Sequence, residues 1–250
     1  MPKPFGELFE FAGPGAFRIR GAGKGPGEFV LVHGIGASAA YFRPLAERLS
    51  AAGRVHVIEL PGHGKKLEPK RPLSMGEFAR ATWRVLERMC GESPMLVGHS
   101  MGTQVVVEMA LQRPDVRKAA LLAPTVNERE RTVPRQALRL FQDGLIEPWG
   151  LKAILARDYA LCGPRWWALT LGEMMAHRME ERISHVEADL LLIAGEKDPT
   201  SPPSWSRALE RAAPHARTAV IPGAPHSLMY RDADQVARLL LEHAAAPVGS

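Results

Sequence analysis

The sequence predicts an α/β protein, a doubly wound and mostly parallel sheet with a helical cap inserted between two of its strands. Short apolar runs alternate along the chain with longer segments whose apolar residues recur at helical spacing. Strands that alternate with helices of this length imply a parallel sheet covered on both faces. One long stretch, residues 125–186, interrupts the alternation.

The individual elements follow from these patterns in chain order. Apolar runs predict strands over residues 29–33, 55–60, 95–97, 119–123, 190–194 and 218–221. Helical spacing of apolar residues predicts helices over residues 42–49, 78–89, 105–111, 204–212 and 236–243. Each predicted helix connects two strands or follows the last one, as a parallel sheet requires.

The interruption predicts a second unit. Residues 125–186 contain a charged run, a helical pattern and three tryptophans, and are too long for a simple connection. We therefore expect residues 1–124 and 187–250 to form the core and residues 125–186 to form a helical cap over one end of the sheet. A set of ordinary crossover helices is the alternative.

Composition excludes several classes of protein. The 250 residues are 46% hydrophobic and 24% charged, which is typical of a globular domain. No apolar run is long enough for a signal peptide or a membrane span, so the cytoplasm is the expected location. The net charge of +5 comes without a nucleic-acid-binding motif, and no cysteine or histidine cluster indicates a metal. Cys90 and Cys162 are expected to be free thiols.

The stretch from Val97 to Gln104, VGHSMGTQ, predicts a catalytic serine. Ser100 stands where the third predicted strand becomes a helix, with Gly98 two residues before it and Gly102 two residues after it. So sharp a turn leaves almost no room for neighbouring side chains and exposes the hydroxyl at the carboxyl end of the strand. Open α/β sheets bind their ligands at that end.

A serine nucleophile needs a base and a group that orients the base. Of the nine histidines, His226 lies in a loop between the last strand and the last helix, which opens at the same sheet end as Ser100. Asp198 comes just past the preceding strand, on the same side, whereas Asp189 lies before that strand and at the wrong end. Glu196 is the nearest competitor for the acid.

The oxyanion formed on attack needs fixed N–H donors. The backbone N–H of Met101 follows the nucleophile directly. The second donor is expected at Ile35, in the loop His33-Gly34-Ile35-Gly36 after the first predicted core strand, where glycines allow close approach of the backbone.

These residues together resemble the α/β-hydrolase superfamily. The resemblance rests on His33-Gly34-Ile35-Gly36, Gly98-His99-Ser100-Met101-Gly102, Asp198 and His226, and covers nearly all of residues 29–243. Pro61-Gly62-His63-Gly64 also looks like a turn of that family, although Glu59 stands where aspartate is commoner. The resemblance implies a cofactor-free serine hydrolase with a helical cap.

Ester or thioester hydrolysis through an acyl-enzyme on Ser100 is the leading interpretation, with a small acyl compound as substrate. Carbon–carbon bond hydrolysis, acyl transfer and a binding module without turnover are the alternatives, and Ser227 after the histidine disfavours the first. We expect the cap to select the substrate. Its aromatic and apolar residues either line the acyl site or form the cap's own core; the candidates for the site are Trp149, Trp166, Trp167 and Met175.

Overall fold

The six apolar runs of the sequence form six neighbouring parallel strands. The computed structural model describes residues 7–11, 17–64, 69–91 and 93–247. In chain order the strands of these residues are β1 (Glu7–Phe11), β2 (Phe17–Ala22), β3 (Gly27–Val32), β4 (Gly53–Glu59), β5 (Met95–His99), β6 (Lys118–Leu122), β7 (Asp189–Gly195) and β8 (Ala216–Ile221). The helices are α1 (Arg43–Leu49), α2 (Met75–Leu86), α3 (Met101–Gln112), α4 (Val133–Ile146), α5 (Trp149–Cys162), α6 (Pro164–Ala176), α7 (Met179–Arg182), α8 (Pro203–Ala212), α9 (Leu228–Arg231) and α10 (Ala233–Ala245).

Both faces of the central strands are buried, which explains their apolar runs. Within β3, Val30 and Val32 belong to one core cluster, while Phe29 and Leu31 belong to a second cluster on the opposite face. Helices α2, α3 and α8 contribute to the first cluster, and α1 and α10 contribute to the second. Each residue of a central strand is therefore withdrawn from water whichever way it points.

The strand order places a topological switch at the centre of the sheet. The order is β1-β2-β4-β3-β5-β6-β7-β8, so the chain runs outward from β3 to β4 on one side and from β5 to β8 on the other. The loops after β3 and β5 consequently leave the sheet in opposite directions and open a crevice between them. His33-Gly34-Ile35-Gly36 and Ser100 occupy these two loops.

Two strands lie outside the sequence prediction. β1 pairs antiparallel with β2, and β2 pairs antiparallel with β4, so the hairpin extends one edge of the parallel sheet. Its sequence lacks the continuous apolar run of the buried strands: Arg18 and Arg20 alternate with apolar residues in β2. An antiparallel edge needs burial on only one side, so it carries a weaker signal.

Residues 125–186 contain α4 to α7 and no strand. This stretch follows β6 and precedes β7, which are direct neighbours in the sheet. Its division from the rest as a separate cap remains our proposal, and we call residues 125–186 the cap segment below. Neither Cys90 nor Cys162 forms a disulfide, as predicted. Among the described helices, none combines the length and apolarity needed to cross a bilayer.

Candidate active site

Ser100 lies on a strained turn between β5 and α3. Its backbone angles are φ 54° and ψ −122°, a region that residues with side chains rarely adopt. The two flanking glycines are required by close approach of backbone: a Cβ on Gly98 would lie 2.4 Å from the carbonyl oxygen of Gly102, and one on Gly102 would lie 2.1 Å from that of Val32. The surrounding sheet thus holds the serine in this conformation.

His226 and Asp198 meet in the loops after β8 and β7. The Nδ1–H of His226 donates to Oδ2 of Asp198 at 2.7 Å, and both side chains are buried. The other oxygen, Oδ1, accepts the backbone N–H groups of Thr200 at 2.7 Å and Ser201 at 2.9 Å. With the carboxylate held from both sides, the imidazole is kept in the tautomer that leaves Nε2 able to accept a proton.

The competing acids lie elsewhere. Glu196 is exposed and accepts the backbone N–H of Gly223 at 2.8 Å. Asp189 is the first residue of β7, at the opposite end of that strand from Asp198. Only Asp198 among these three therefore contacts the imidazole of His226.

One cavity is lined by both the expected nucleophile and the expected base. The cavity has a volume of about 490 Å³, and both Ser100 and His226 line it. Nε2 of His226 is buried and has no hydrogen-bond partner among the described residues. A buried polar atom without a partner is costly, so Nε2 is a candidate for contact with a substrate or a reacting proton.

The electrostatics around His226 favour its protonated form. Burial alone would lower its pKa, but the charge of Asp198 and the hydrogen bond to it, together with the charges of Asp143 and Glu147, outweigh burial and raise the pKa of His226 to about 9. These negative groups therefore stabilise the imidazolium that would form when the histidine accepts a proton.

The two expected oxyanion donors lie at the same end of the sheet. Ile35 lines the cavity in the loop after β3. Met101 is the first residue of α3, where a helix offers its N–H groups no partner of its own. The arrangement suits stabilisation of negative charge, since the N-terminal end of a helix is partially positive.

Comparison with known proteins identifies the family of this chain. A family model described as "Alpha/beta hydrolase family" matches residues 29–239. The chain belongs to the α/β hydrolase family. It is 29% identical over 251 residues to a pimeloyl-[acyl-carrier protein] methyl ester esterase of Xanthomonas campestris pv. campestris, covering 90% of this chain and 97% of the relative.

Solved structures share the fold of this hydrolase. A thermophilic esterase from Thermogutta terrifontis has a TM-score of 0.77 and 20% identity, with 94% of this chain and 97% of that chain covered. The enol-lactonase from Burkholderia xenovorans LB400 has a TM-score of 0.79 and 18% identity, with 93% and 97% covered.

A chain of hydrogen bonds, absent from the sequence prediction, joins the three loops of the site. The N–H of Gly34 donates to Oη of Tyr41 at 2.6 Å, and the Tyr41 hydroxyl donates to Nδ1 of His99 at 2.9 Å. The Nε2–H of His99 donates in turn to the backbone carbonyl of His226 at 3.1 Å. Burial keeps the pKa of His99 well below its usual value, so this histidine is a neutral connector.

The cap residues divide differently from the expectation. Trp167 lines the cavity, as expected, together with Tyr159. Trp166 is 1% exposed and packs on the turn at Gly62, so it belongs to the cap–core contact rather than to the cavity wall. Trp149 is 84% exposed and stacks on the ammonium of Lys152, while Met175 packs against the core. Three of the four expected pocket residues are thus not found lining it, because helical spacing alone does not tell a pocket wall from a helix contact.

One further group of polar side chains, Glu28, His56 and Cys90, lies close together away from the cavity. The carboxylate of Glu28 is hydrogen-bonded to His56 Nε2 at 3.0 Å and paired with Arg54 at 3.2 Å. It also accepts the backbone N–H of Gly91 at 2.6 Å. Glu28 lies near the start of β3, at the opposite end of that strand from the loop of Ile35, so the group does not contribute to the site.

Proposed function

We propose that this hydrolase cleaves a carboxylic ester or thioester through an acyl-enzyme intermediate on Ser100. The observation that carries the proposal is the imidazole of His226. One of its nitrogens is bound to Asp198 at 2.7 Å, the other is buried and has no hydrogen-bond partner among the described residues, and His226 lines the same cavity as Ser100. A serine, an oriented base and an acid in this relation perform acyl transfer on several unrelated folds.

The first half of the reaction acylates the serine. Nε2 of His226 takes the hydroxyl proton as Oγ of Ser100 attacks the carbonyl carbon, and the carbonyl π pair moves to oxygen. The N–H groups of Ile35 and Met101 stabilise that oxyanion, each donor contributing roughly 3 kcal/mol. When the tetrahedral intermediate collapses, His226 returns the proton to the departing alcohol or thiol.

The second half repeats these steps with water. His226 removes a proton from water, the hydroxide attacks the acyl carbonyl, and Ser100 leaves with the proton that the histidine holds. The products are a carboxylic acid and the alcohol or thiol. Asp198 stays ionised throughout and stabilises the imidazolium in both halves.

The cavity supports an apolar acyl group as the part that is recognised. Leu140, Phe141, Leu155 and Trp167 line it, and its volume of about 490 Å³ suits an acyl chain of several carbons. The relative's name supplies a substrate class to test, the methyl ester of an acyl chain. A series of p-nitrophenyl and methyl esters of graded chain length is the corresponding assay.

Labelling by a fluorophosphonate tests the nucleophile. The wild type is expected to form a covalent adduct on Ser100 and to lose activity in proportion. Ser100→Ala should remain unlabelled and lose ester hydrolysis by several orders of magnitude. Ser184→Ala, which removes an exposed serine hydroxyl, is the matched control and should label like the wild type. An adduct on another residue, or an active Ser100→Ala variant, contradicts the proposal.

Product analysis separates the proposed reaction from its relatives. Ester hydrolysis incorporates one oxygen from labelled water into the acid, whereas acyl transfer to an added alcohol yields a new ester in competition. Carbon–carbon bond hydrolysis would instead require a diketone-type substrate and release no alcohol. Release of acid and alcohol in equal amounts supports hydrolysis.

A further inference from the structure

Two carboxyl groups of the cap segment accept hydrogen bonds from the loop that carries His226. Oδ1 of Asp143 accepts the backbone N–H of His226 at 3.0 Å, and Oε1 of Glu147 accepts the backbone N–H of Ser227 at 2.9 Å. Asp143 lies in the last turn of α4, and Glu147 directly follows that helix. Consecutive backbone groups of a core loop are thus bound by one end of a single cap helix.

The placement of these carboxyl groups is unfavourable for stability. Asp143 is 6% exposed and Glu147 is 5% exposed. Burial raises the pKa of Asp143, and burial together with the neighbouring charge of Asp143 raises the pKa of Glu147 to about 7. Acidic groups are also disfavoured at the C-terminal end of a helix by its dipole. A purely structural contact would be made at lower cost by neutral acceptors.

The charge that faces the pair offsets part of that cost. The imidazolium form of His226 lowers the pKa of both carboxyl groups, although burial outweighs it. Both acids also line the cavity, and Oε2 of Glu147 is buried without a hydrogen-bond partner among the described residues. The pair therefore interacts with the very group that gains a proton in the proposed mechanism.

We propose that Asp143 and Glu147 are positioning residues for the base, which fix the backbone at His226 and Ser227 and stabilise the imidazolium formed during catalysis. The inference rests on the proposed roles of Ser100, Asp198 and His226. Under this proposal the position of the His226 imidazole depends on the position of α4, because the cap segment holds the loop that carries the base. The base is then competent when the cap segment covers the cavity.

The other groups that face His226 are identified by the structure. Asp198 approaches from the loop after β7, and the ring of His99 approaches from the end of β5, with centroids 4.9 Å apart. His99 is neutral because burial holds its pKa well below the usual value. A change in the titration of His226 on replacement of Asp143 is therefore assigned to the carboxyl pair.

The first test replaces the charge and keeps the acceptor. In Asp143→Asn the amide oxygen can still accept the N–H of His226, but one negative charge is lost. NMR titration of the His226 imidazole, assigned with His226→Gln, should show its pKa lowered by about one unit. The measurement is made in the Ser100→Ala background, so it does not depend on ester hydrolysis. An unchanged titration overturns the electrostatic part of the proposal.

The second test removes the acceptor. Asp143→Ala should lower kcat on a p-nitrophenyl ester by roughly a hundredfold, the effect expected of a catalytic group displaced by about 1 Å, with little change in KM. Asp143→Asn should restore much of that loss. Asp158→Asn is the matched control, because Asp158 is a buried cap carboxylate that binds Ser38 at 2.6 Å and does not contact His226.

The outcomes separate the two proposals. A wild-type kcat in Asp143→Ala, or an equal shift of the His226 titration in Asp158→Asn, overturns the positioning role. An active Ser100→Ala variant overturns the proposed nucleophile but leaves the NMR measurement valid. If Asp143→Ala does not fold, Glu147→Gln and Asp143→Asn, which keep the side-chain shape, decide the matter by the same titration.

Discussion

Replacement of Trp166 by alanine is expected to loosen the cap segment from the core. The indole is 1% exposed and rests on the turn Pro61-Gly62-His63-Gly64 after β4. Gly62 has φ 80°, and a Cβ at that position would lie 1.9 Å from Nε1 of Trp166. The indole thus occupies the space that a side chain on residue 62 would take, and the glycine makes the contact possible.

The magnitude follows from the burial. Loss of a fully buried tryptophan costs about 3–5 kcal/mol, and each kcal/mol lowers the melting temperature of a chain of this size by about 2–4 °C. Trp166→Ala should therefore melt roughly 6–20 °C below the wild type. Gly62→Ala should destabilise the fold in two ways. The overlap of the new Cβ with the indole of Trp166 costs about 1–3 kcal/mol, and an alanine at positive φ costs about 1–2 kcal/mol more.

The double variant distinguishes a specific contact from general damage. In the Trp166→Ala background the overlap is gone, so Gly62→Ala should cost only the backbone penalty, and the two changes should be non-additive by about 1–3 kcal/mol. Thermal melting, monitored by circular dichroism, measures the stability of the wild type, the two single variants and the double variant. Trp149→Ala, at a position 84% exposed, is the control and should lie within about 0.5 kcal/mol of the wild type. Additive effects, or a Trp166→Ala variant that melts like the wild type, refute the reasoning.

Four further outcomes are expected. Asp198→Asn should lower kcat roughly 10⁴-fold, because the imidazole of His226 then adopts the wrong tautomer, whereas Glu196→Gln should leave kcat nearly unchanged. If Glu196→Gln is the variant that loses activity, Glu196 is the acid instead of Asp198. Because the base must be neutral and the pKa of His226 is raised to about 9, kcat/KM should rise with pH between about 6.5 and 9; a profile that is flat above pH 7 contradicts this. Trp167→Ala should shift the preferred ester chain length by changing the cavity wall, which the graded ester series measures. Dialysis against a chelator should leave the rate unchanged, and activity restored by zinc would count against the metal-free mechanism.

The core elements were predictable because each carries its own local signal. A strand buried on both faces is apolar over most of its length, so β3, β5, β6 and β7 stand out in the sequence. The edge hairpin of β1 and β2 lacks such a run, and periodicity did not identify it. The turn at Ser100 was predictable for a different reason. A Cβ on either flanking glycine would lie within 2.4 Å of a backbone carbonyl oxygen, so only glycine fits at these two positions.

In the cap segment the local sequence does not predict which side chains line the cavity. Trp166 and Trp167 are adjacent and chemically identical, yet one packs under the cap at Gly62 and the other lines the cavity. Their different roles depend on which side of α6 faces the core, and that is set by packing rather than by the identity of either residue. Trp149 begins α5 and is 84% exposed, so its expected place in the cavity wall was also wrong.

The sequence by itself therefore determined the six parallel strands, the elbow at Ser100 and the candidates Asp198 and His226, because backbone sterics and continuous burial restrict the residue types at those positions. Only the tertiary structure joined Asp198 to His226 and brought Tyr41, His99, Asp143 and Glu147 around them. Those contacts span separations of 28 to 127 residues, and a polar side chain carries no local sign of its partner. Hydrogen bonding between distant segments is decided when the chain folds, by which loops the topology of the sheet places side by side.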